Sequence, residues 1–506
     1  MTRRDLTLGL LALSLPFPAH AARRIDVRDH GARGDGITLD SDAINAAILA
    51  ASRAGGGTVI LAPGRYLCFS IRLQSRVTLL LSEGAIIEAA DPARHAGRYD
   101  LPETGIDQLY QDFGHSHWRN SLIWGDDVQD VAIIGRGLIH GVGLTRDGPG
   151  ARWKKQAGER PLSMQAMTDA QIANLEPAAA AMAGKGNKAI AFKNGRNIRL
   201  SGFTIRKGGH FAILATGTRD LRIDGLTIDT DRDGIDLDCV RDVVVERCRV
   251  NSPNDDAIVV KSSFALGSAI AAENILIRDC DVTGYDMGSV IDGTRTTIQQ
   301  IAPDQDRVTG RIKLGTESNG GYRNIIVEDC RFTGCRGLAL ETVDGGVMEH
   351  IVARRLTMRD VTTAPLFLRL GDRRRGPEGT GVGAIRNVAI SQIDARGIDH
   401  RFPATIAGLP GHRIADVRLR DIHLVYDGGG TATDAARQPA ELADAYPEPS
   451  MFGILPSWAL WARHVERLTI DRFTAETSTP DLRPPFHTED APGLSVQNTP
   501  LWRARH

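Results

Sequence analysis

Aromatic residues are scarce in this sequence. Phe, Trp and Tyr make up 5% of its 506 residues, which argues against a long stacking platform for a smooth linear ligand. Lysine is scarcer still, eight of 61 basic residues, a skew read as genomic bias with no function attached. The net charge of −1 leaves no global field to draw in nucleic acid or an anionic membrane. Six cysteines are present, none at the spacing of a zinc site. Long apolar runs are missing: Leu8 to Leu15 is too short to cross a bilayer. Outside one N-terminal segment, helical periodicity is missing too, and with it the helical repeat architectures.

What is there begins with an export signal. Thr2-Arg3-Arg4-Asp5-Leu6 carries a twin-arginine pair, Leu8 to Leu15 forms the apolar core, and Ala19-His20-Ala21 fits cleavage at small residues. Residues 1–21 are therefore expected to be removed, leaving 22–506 as one mature domain that is not held in a membrane. An exported chain can form disulfides. Cys330 and Cys335 are near enough to close a small loop. Cys248, Cys280 and Cys330 end similar phrases, and are expected at equivalent places on successive repeats as small buried residues.

Ala43 to Arg53 has helical apolar spacing, with Ser41 or Asp42 as cap, and Gly55-Gly56-Gly57 stops it. Strands follow at Thr58 to Leu61, Val77 to Leu81 and Ala85 to Glu88. Beyond them a unit of two short alternating strands recurs. Its first strand appears at Val131, Ile198, Leu221, Val243, Ile275, Ile325, Ile351, Val388, Val417 and Leu468. The tightest repeats are 22 to 23 residues apart. Propeller blades need about forty residues or more. A parallel β-helix, an all-β solenoid whose coils stack into one core, fits this period. The N-terminal helix is expected to close one end. Three stretches interrupt the repeat, near 151–188, 288–310 and 428–458, and long loops on a rigid scaffold often line binding sites.

Two of the repeats share a grammar. Asp231-Arg232-Asp233-Gly234-Ile235-Asp236 and Asn254-Asp255-Asp256-Ala257-Ile258 each end a polar turn in Asp before an apolar run. Asp233 and Asp256 are 23 positions apart, one coil. Coils stack about 4.8 Å apart, so Asp233, Asp255 and Asp256 are expected to share one patch. Carboxylates that close cannot all ionise easily, so one pKa should rise. Such a cluster can hold a protonated acid beside an ionised base. Arg311 and Lys313 alternate with Ile312 and Leu314, which puts two cations on one strand face, an arrangement suited to a carboxylate ligand. His210 lies one coil before Asp233.

On these motifs the chain resembles the polygalacturonases of glycoside hydrolase family 28. Their signature reads Asn-Thr-Asp-Gly-Ile-Asp, then Gly-Asp-Asp-Ala-Ile one coil later, and the likeness covers nearly the whole mature chain. It implies a right-handed, single-stranded parallel β-helix of the pectin-lyase type that hydrolyses pectic polysaccharide without a cofactor or metal. It also implies Asp255 as general acid and Asp233 with Asp256 as the groups activating water, with inversion. Lys261 follows in the cleft. Two departures stand out. The family's Gly-His-Gly is matched by Thr309 to Glu317, which has no His. Its carboxylate-holding Arg-Ile-Lys is matched by Ala339-Leu340-Glu341, so Arg311 and Lys313 are expected to serve from the neighbouring coil. This pattern is similar to a bacterial branch associated with rhamnogalacturonan or other branched pectin.

The expected substrate contacts are thus Lys261, Arg311, Lys313, His210 and Glu341, on a monomer acting at chain ends. The rival readings are a glycosidase acting on another sugar of rhamnogalacturonan, a pectate-lyase-type enzyme whose Asp cluster holds calcium, and a non-catalytic carbohydrate-binding solenoid.

Overall fold

The computed structural model describes residues 23–104, 110–149, 168, 170, 179–298 and 308–502. The export signal lies outside them, as does most of the insertion near 151–188. No helix among the described residues is long and apolar enough to cross a membrane.

The chain is a right-handed parallel β-helix. Its strands pair in parallel from coil to coil and fall into a 24-stranded and a 12-stranded sheet. The larger sheet holds two ladders that merge where Val347–Val361, Ala384–Ile398 and Ile414–Tyr426 run across both. The early strands Gly57–Leu61, Val77–Leu81 and Ala85–Ala89 lie where the alternation puts them. Helix α1 (Ser41–Arg53) buries Ile44, Ala47, Ile48 and Ala51, the i, i+3, i+4, i+7 stripe of an amphipathic helix, and closes the N-terminal end of the core. Neither expected residue caps it. The Ser41 hydroxyl accepts from the amide of Phe69 at 2.8 Å. The residue before the helix, Asp40, spends its carboxylate on the amides of Arg33 and Gly34 instead.

Seven strands of the smaller sheet frame the site: β1 (Lys188–Lys193), β2 (Phe211–Thr216), β3 (Asp233–Asp238), β4 (Ile258–Ser262), β5 (Ile312–Ser318), β6 (Leu338–Thr342) and β7 (Leu366–Leu370). Their register stacks like on like. Ile190, Ile213, Ile235, Ile258 and Ile312 form one inward column, all fully buried. β-branched side chains, stiff at χ1 and well fitted to a pleated surface, pack well in such columns. On the other sheet, Asp130, Asn197, Asp220, Asp242, Asn274 and Asn324 take positive φ, which Asn and Asp tolerate best after Gly. Asn274 then donates to Asp242 and Asn324 to Asn274 across the coils.

The expected cysteine column is present: Cys248, Cys280 and Cys330 each follow by two residues the in-register positions Glu246, Arg278 and Glu328, and each thiol donates to the carbonyl of that residue. All six cysteines are free and buried, so Cys330 and Cys335 are not bridged. Of the insertions, 288–310 shows a single helical turn, Ser289–Asp292, among its described residues; 299–307 lie outside them. The insertion at 428–458 folds back over β5 and β6. It is fastened by Arg369, which donates to the carbonyls of Glu441 and Leu442, and by Arg463, which donates to that of Pro439.

Candidate active site

The two Asp motifs lie on adjacent coils and are stitched by their backbones. The amide of Asn254 donates to the Asp231 carbonyl at 3.1 Å, and that of Gly234 to the Asp256 carbonyl at 3.0 Å. The next coil continues the stack, with the Gly310 amide on the Asp255 carbonyl at 2.9 Å. Oxygen atoms of Asp233, Asp255 and Asp256 fall within 4.8 Å of one another. The cluster expected from spacing therefore exists.

Gly234 is what lets the coils approach. A Cβ on it would lie 2.4 Å from the Ala257 carbonyl oxygen and 2.4 Å from Val250 Cγ1. Gly234→Ala is accordingly expected to cost about 1–3 kcal/mol of stability, as overpacking does. It would also spread the coils that carry Asp233 and Asp256. A denaturant midpoint unchanged from wild type would contradict this packing.

The three carboxylates differ in their surroundings. Asp256 receives Arg311 Nε at 2.8 Å and has Lys313 Nζ at 3.5 Å. Burial opposes its charge, but Lys313 and Arg311 outweigh that and hold it below the usual carboxylate range. Asp233 is pushed well up, by burial first and then by the charge of Asp255. Asp255 is the most open of the three, its side chain 18% exposed. It accepts from Arg232 at 2.8 Å and from the amide of Asp256 at 3.0 Å. The resemblance joins Asp233 with Asp256; the electrostatics set them apart, one raised and one lowered.

Lys261 lies beneath Asp233. Its ammonium donates to Asp236 at 2.7 Å, to His115 Nε2 at 3.0 Å and to Asp233 at 3.3 Å. Burial works against its charge, yet Asp233 and Asp236 outweigh that and raise its pKa. Burial also pushes Asp236 up to about 7. One ammonium matches one carboxylate charge. The shorter bond goes to Asp236, and Asp255 stands beside Asp233, so the proton belongs on Asp233. His115 is held neutral, chiefly by burial and then by Lys261. A lysine only donates, so Nε2 accepts and Nδ1 carries the hydrogen.

A bulge brings a further carboxylate to Lys261. Val260 pairs with Leu314 but Ser262 with Ser318, so Gly315, Thr316 and Glu317 together oppose Lys261. Bulges of this kind re-aim side chains beside functional sites. Burial opposes the charge of Glu317, but Lys261 and Arg373 outweigh it, and Glu317 stays ionised well below the usual range.

The five expected substrate contacts are all buried and all engaged inside the protein. Arg311 and Lys313 share a strand face as the alternation requires, and Lys313 pairs in register with Ala339, the neighbouring-coil placement inferred from the motif. Neither is an open cation: Arg311 is bound to Asp256 and Glu448, and Lys313 lies between Asp256 and Glu341. Glu341 is wholly buried under Lys313 and pushed up to about 7 by that burial. His210 donates from Nδ1 to the Arg146 carbonyl at 2.8 Å. Lys261 is committed as described.

Sequence reasoning missed His115, Glu317, Arg336 and Glu448. The last enters from the 428–458 insertion, where its chelating partners Arg311 and Arg336 are 137 and 112 positions away. Only Asp236, already inside the quoted motif, carried a signal.

Residues 24–255 match the family described as Rhamnogalacturonase A/epimerase, pectate lyase-like. A probable polygalacturonase of Vitis vinifera is 26% identical over 298 residues, 55% of this chain and 53% of that protein; the chain thus spans about half the length of that curated relative. The exopolygalacturonase of Thermotoga maritima superposes with a TM-score of 0.61 at 22% identity, covering 84% of this chain and 91% of its own. The family 28 exopolygalacturonase of Yersinia enterocolitica gives 0.62 at 16% identity, covering 94% and 78%. The chain is a parallel β-helix similar to the polygalacturonases of glycoside hydrolase family 28.

Proposed function

We propose that this chain is an exported, exo-acting glycoside hydrolase that cleaves α-galacturonosyl linkages in pectic polysaccharide or its oligosaccharides with inversion. The observation that carries the reading is the cluster itself: oxygens of Asp233, Asp255 and Asp256 lie within 4.8 Å of one another, in surroundings that raise Asp233 and lower Asp256, with Asp255 the most open of the three. Glycoside hydrolysis needs one proton donor at the leaving oxygen and one carboxylate to act at the anomeric carbon.

The proton held by the Asp233–Asp255 pair is delivered through Asp255 to the glycosidic oxygen, and the bond from that oxygen to the sugar breaks. A water held by Asp256 and the now ionised Asp233 attacks the anomeric carbon and gives up a proton to them. One proton leaves the cluster and one returns. The cluster titrates as a unit, so its apparent pKa values belong to the group.

The oxygens lie closer than the roughly 6.5–9.5 Å usual between inverting carboxyl groups. Inversion is favoured by what the oxygens are doing. Arg311 and Lys313 bind Asp256, while Arg232 and a backbone amide bind Asp255. Oxygens so engaged are weak nucleophiles toward carbon but still accept a hydrogen bond from water. Exo action is supported by the buried setting of the cluster, by the insertion at 428–458 folded over β5, and by the scarcity of aromatics. Two of the solved structures similar to this chain are named exopolygalacturonases.

The test is product analysis on homogalacturonan, rhamnogalacturonan and their oligomers. The reading expects saturated reducing sugar, released from chain ends and seen by NMR as the inverted anomer. Retained configuration would assign a carboxylate as nucleophile. An unsaturated, ultraviolet-absorbing product would favour a lyase, a reading with one observation behind it: a hard cation can bridge three carboxylates this close.

A further inference from the structure

Arg311 offers a full guanidinium fork on the outer face of β5. Its Nε donates to Asp256. Its two terminal nitrogens donate to Glu448, Nη2 to Oε1 at 2.8 Å and Nη1 to Oε2 at 3.2 Å. Arg336 reaches the same carboxylate. Lys313 completes the group, with its ammonium 5.7 Å from the ring centre of Tyr446. Two buried arginines converging on one carboxylate, beside a lysine, is the geometry by which proteins hold a carboxylate ligand. Here the carboxylate belongs to the protein. Glu448 stands between Pro447 and Pro449, with an extended backbone at φ −131° and ψ 146°, the region that a following proline favours. Arg369 and Arg463 pin the base of the same insertion. The arrangement is rigid at both ends.

We propose that Glu448 is a built-in occupant of a carboxylate-binding subsite formed by Arg311 and Arg336, and that it sets specificity. A uronate carboxylate approaching this position meets a filled fork and a like charge. The sugar seated against this fork, a neighbour of the galacturonosyl unit that is cleaved, therefore carries no carboxylate. That consequence rests on the hydrolase reading; the existence of the subsite does not. The substrate class becomes a pectic chain in which galacturonic acid alternates with a neutral sugar, rather than a uniform polyuronate.

Acetate is the probe. Glu448→Ala and Glu448→Ser both open space beside the fork, whereas Glu448→Gln removes the charge and keeps the volume. Calorimetric titration and the thermal midpoint are expected to show acetate binding to the Ala and Ser variants, against sodium chloride at equal ionic strength. The Gln variant and the wild type should show none. The ratio of kcat/KM on homogalacturonan oligomers to that on rhamnogalacturonan oligomers should rise about 10–100-fold in the opened variants, the worth of one hydrogen bond to a charged group. Folded Ala and Ser variants that ignore acetate would overturn the subsite. An unchanged ratio would overturn its role in specificity. A wild type that cleaves neither polymer would remove the hydrolase reading and the specificity claim with it, while the acetate titration would still decide the subsite.

Discussion

Asp256→Asn is expected to lower kcat by about 10²–10⁴-fold, the range for a lost acid–base group, with the coil stack intact. The amide is isosteric and keeps an acceptor for Arg311 Nε, so the bond that orients the side chain survives. What disappears is the charge that takes a proton from water. Asp255→Asn should fall in the same range through the other half of the reaction, and the double variant should be scarcely worse than either alone, because the residues act as a unit. The pH profile separates them. The reaction needs Asp256 ionised, so activity is present above its lowered pKa and is lost as pH falls through it. It needs the proton that Asp233 holds and passes to Asp255, so activity is present below the raised pKa of Asp233 and is lost as pH rises through it. The wild type should therefore give a bell whose alkaline limb lies well above the ordinary carboxylate range. An alkaline limb near pH 4 would mean that Asp233 does not hold the proton.

The architecture and the carboxylate cluster were readable from local pattern. A coil period of 22 to 23 residues, β-branched inward positions and two Asp phrases one period apart are short-range signals. Stacking makes residues a period apart into neighbours, which is why Asp233, Asp255 and Asp256 could be brought together on paper and the cysteine column with them. The alternation through Arg311, Ile312 and Lys313 correctly fixed their shared face. It could not say what those cations touch, because the answer comes from outside the repeat. Glu448 arrives from an insertion 137 positions away, and His115 from a short helical turn, Phe113–Ser116, 146 positions before Lys261. No periodicity links them. The partners of the expected substrate contacts were hidden for the same reason: what covers a cation on an outward face is known only once the loop over it is placed. The helix cap failed more locally. Asp40 was passed over for the next two residues, and its side chain serves the preceding turn rather than the helix.

Lys261→Met is the substitution expected to cost the most stability, about 3–5 kcal/mol at neutral pH, the scale for removing one partner of a buried ion pair. Methionine fills the stem of the lysine, so packing is largely kept and the loss is electrostatic. Asp236, Asp233 and Glu317 lose the ammonium among them, and two of these are already raised by burial. The folded variant escapes the uncompensated charge by taking up a proton, chiefly on Asp236. A carboxylate whose folded pKa exceeds its unfolded value of about 3.9 contributes stability that is present below that value and is lost as pH rises toward the folded pKa. The variant should therefore lose up to about 1.4 kcal/mol per pH unit for each such group across this window. In the wild type Lys261 limits that loss. The gap between the two proteins should be small near pH 4 and widen steadily to pH 8, as measured by thermal midpoints across that range. A gap independent of pH would mean that the lysine stem, and not its charge, is what the site requires. Because Lys261 Nζ lies 3.3 Å from Asp233 and lowers its pKa, the same variant should also move the alkaline limb of the activity profile upward. Both readouts then report one quantity, the charge that Lys261 supplies among these carboxylates.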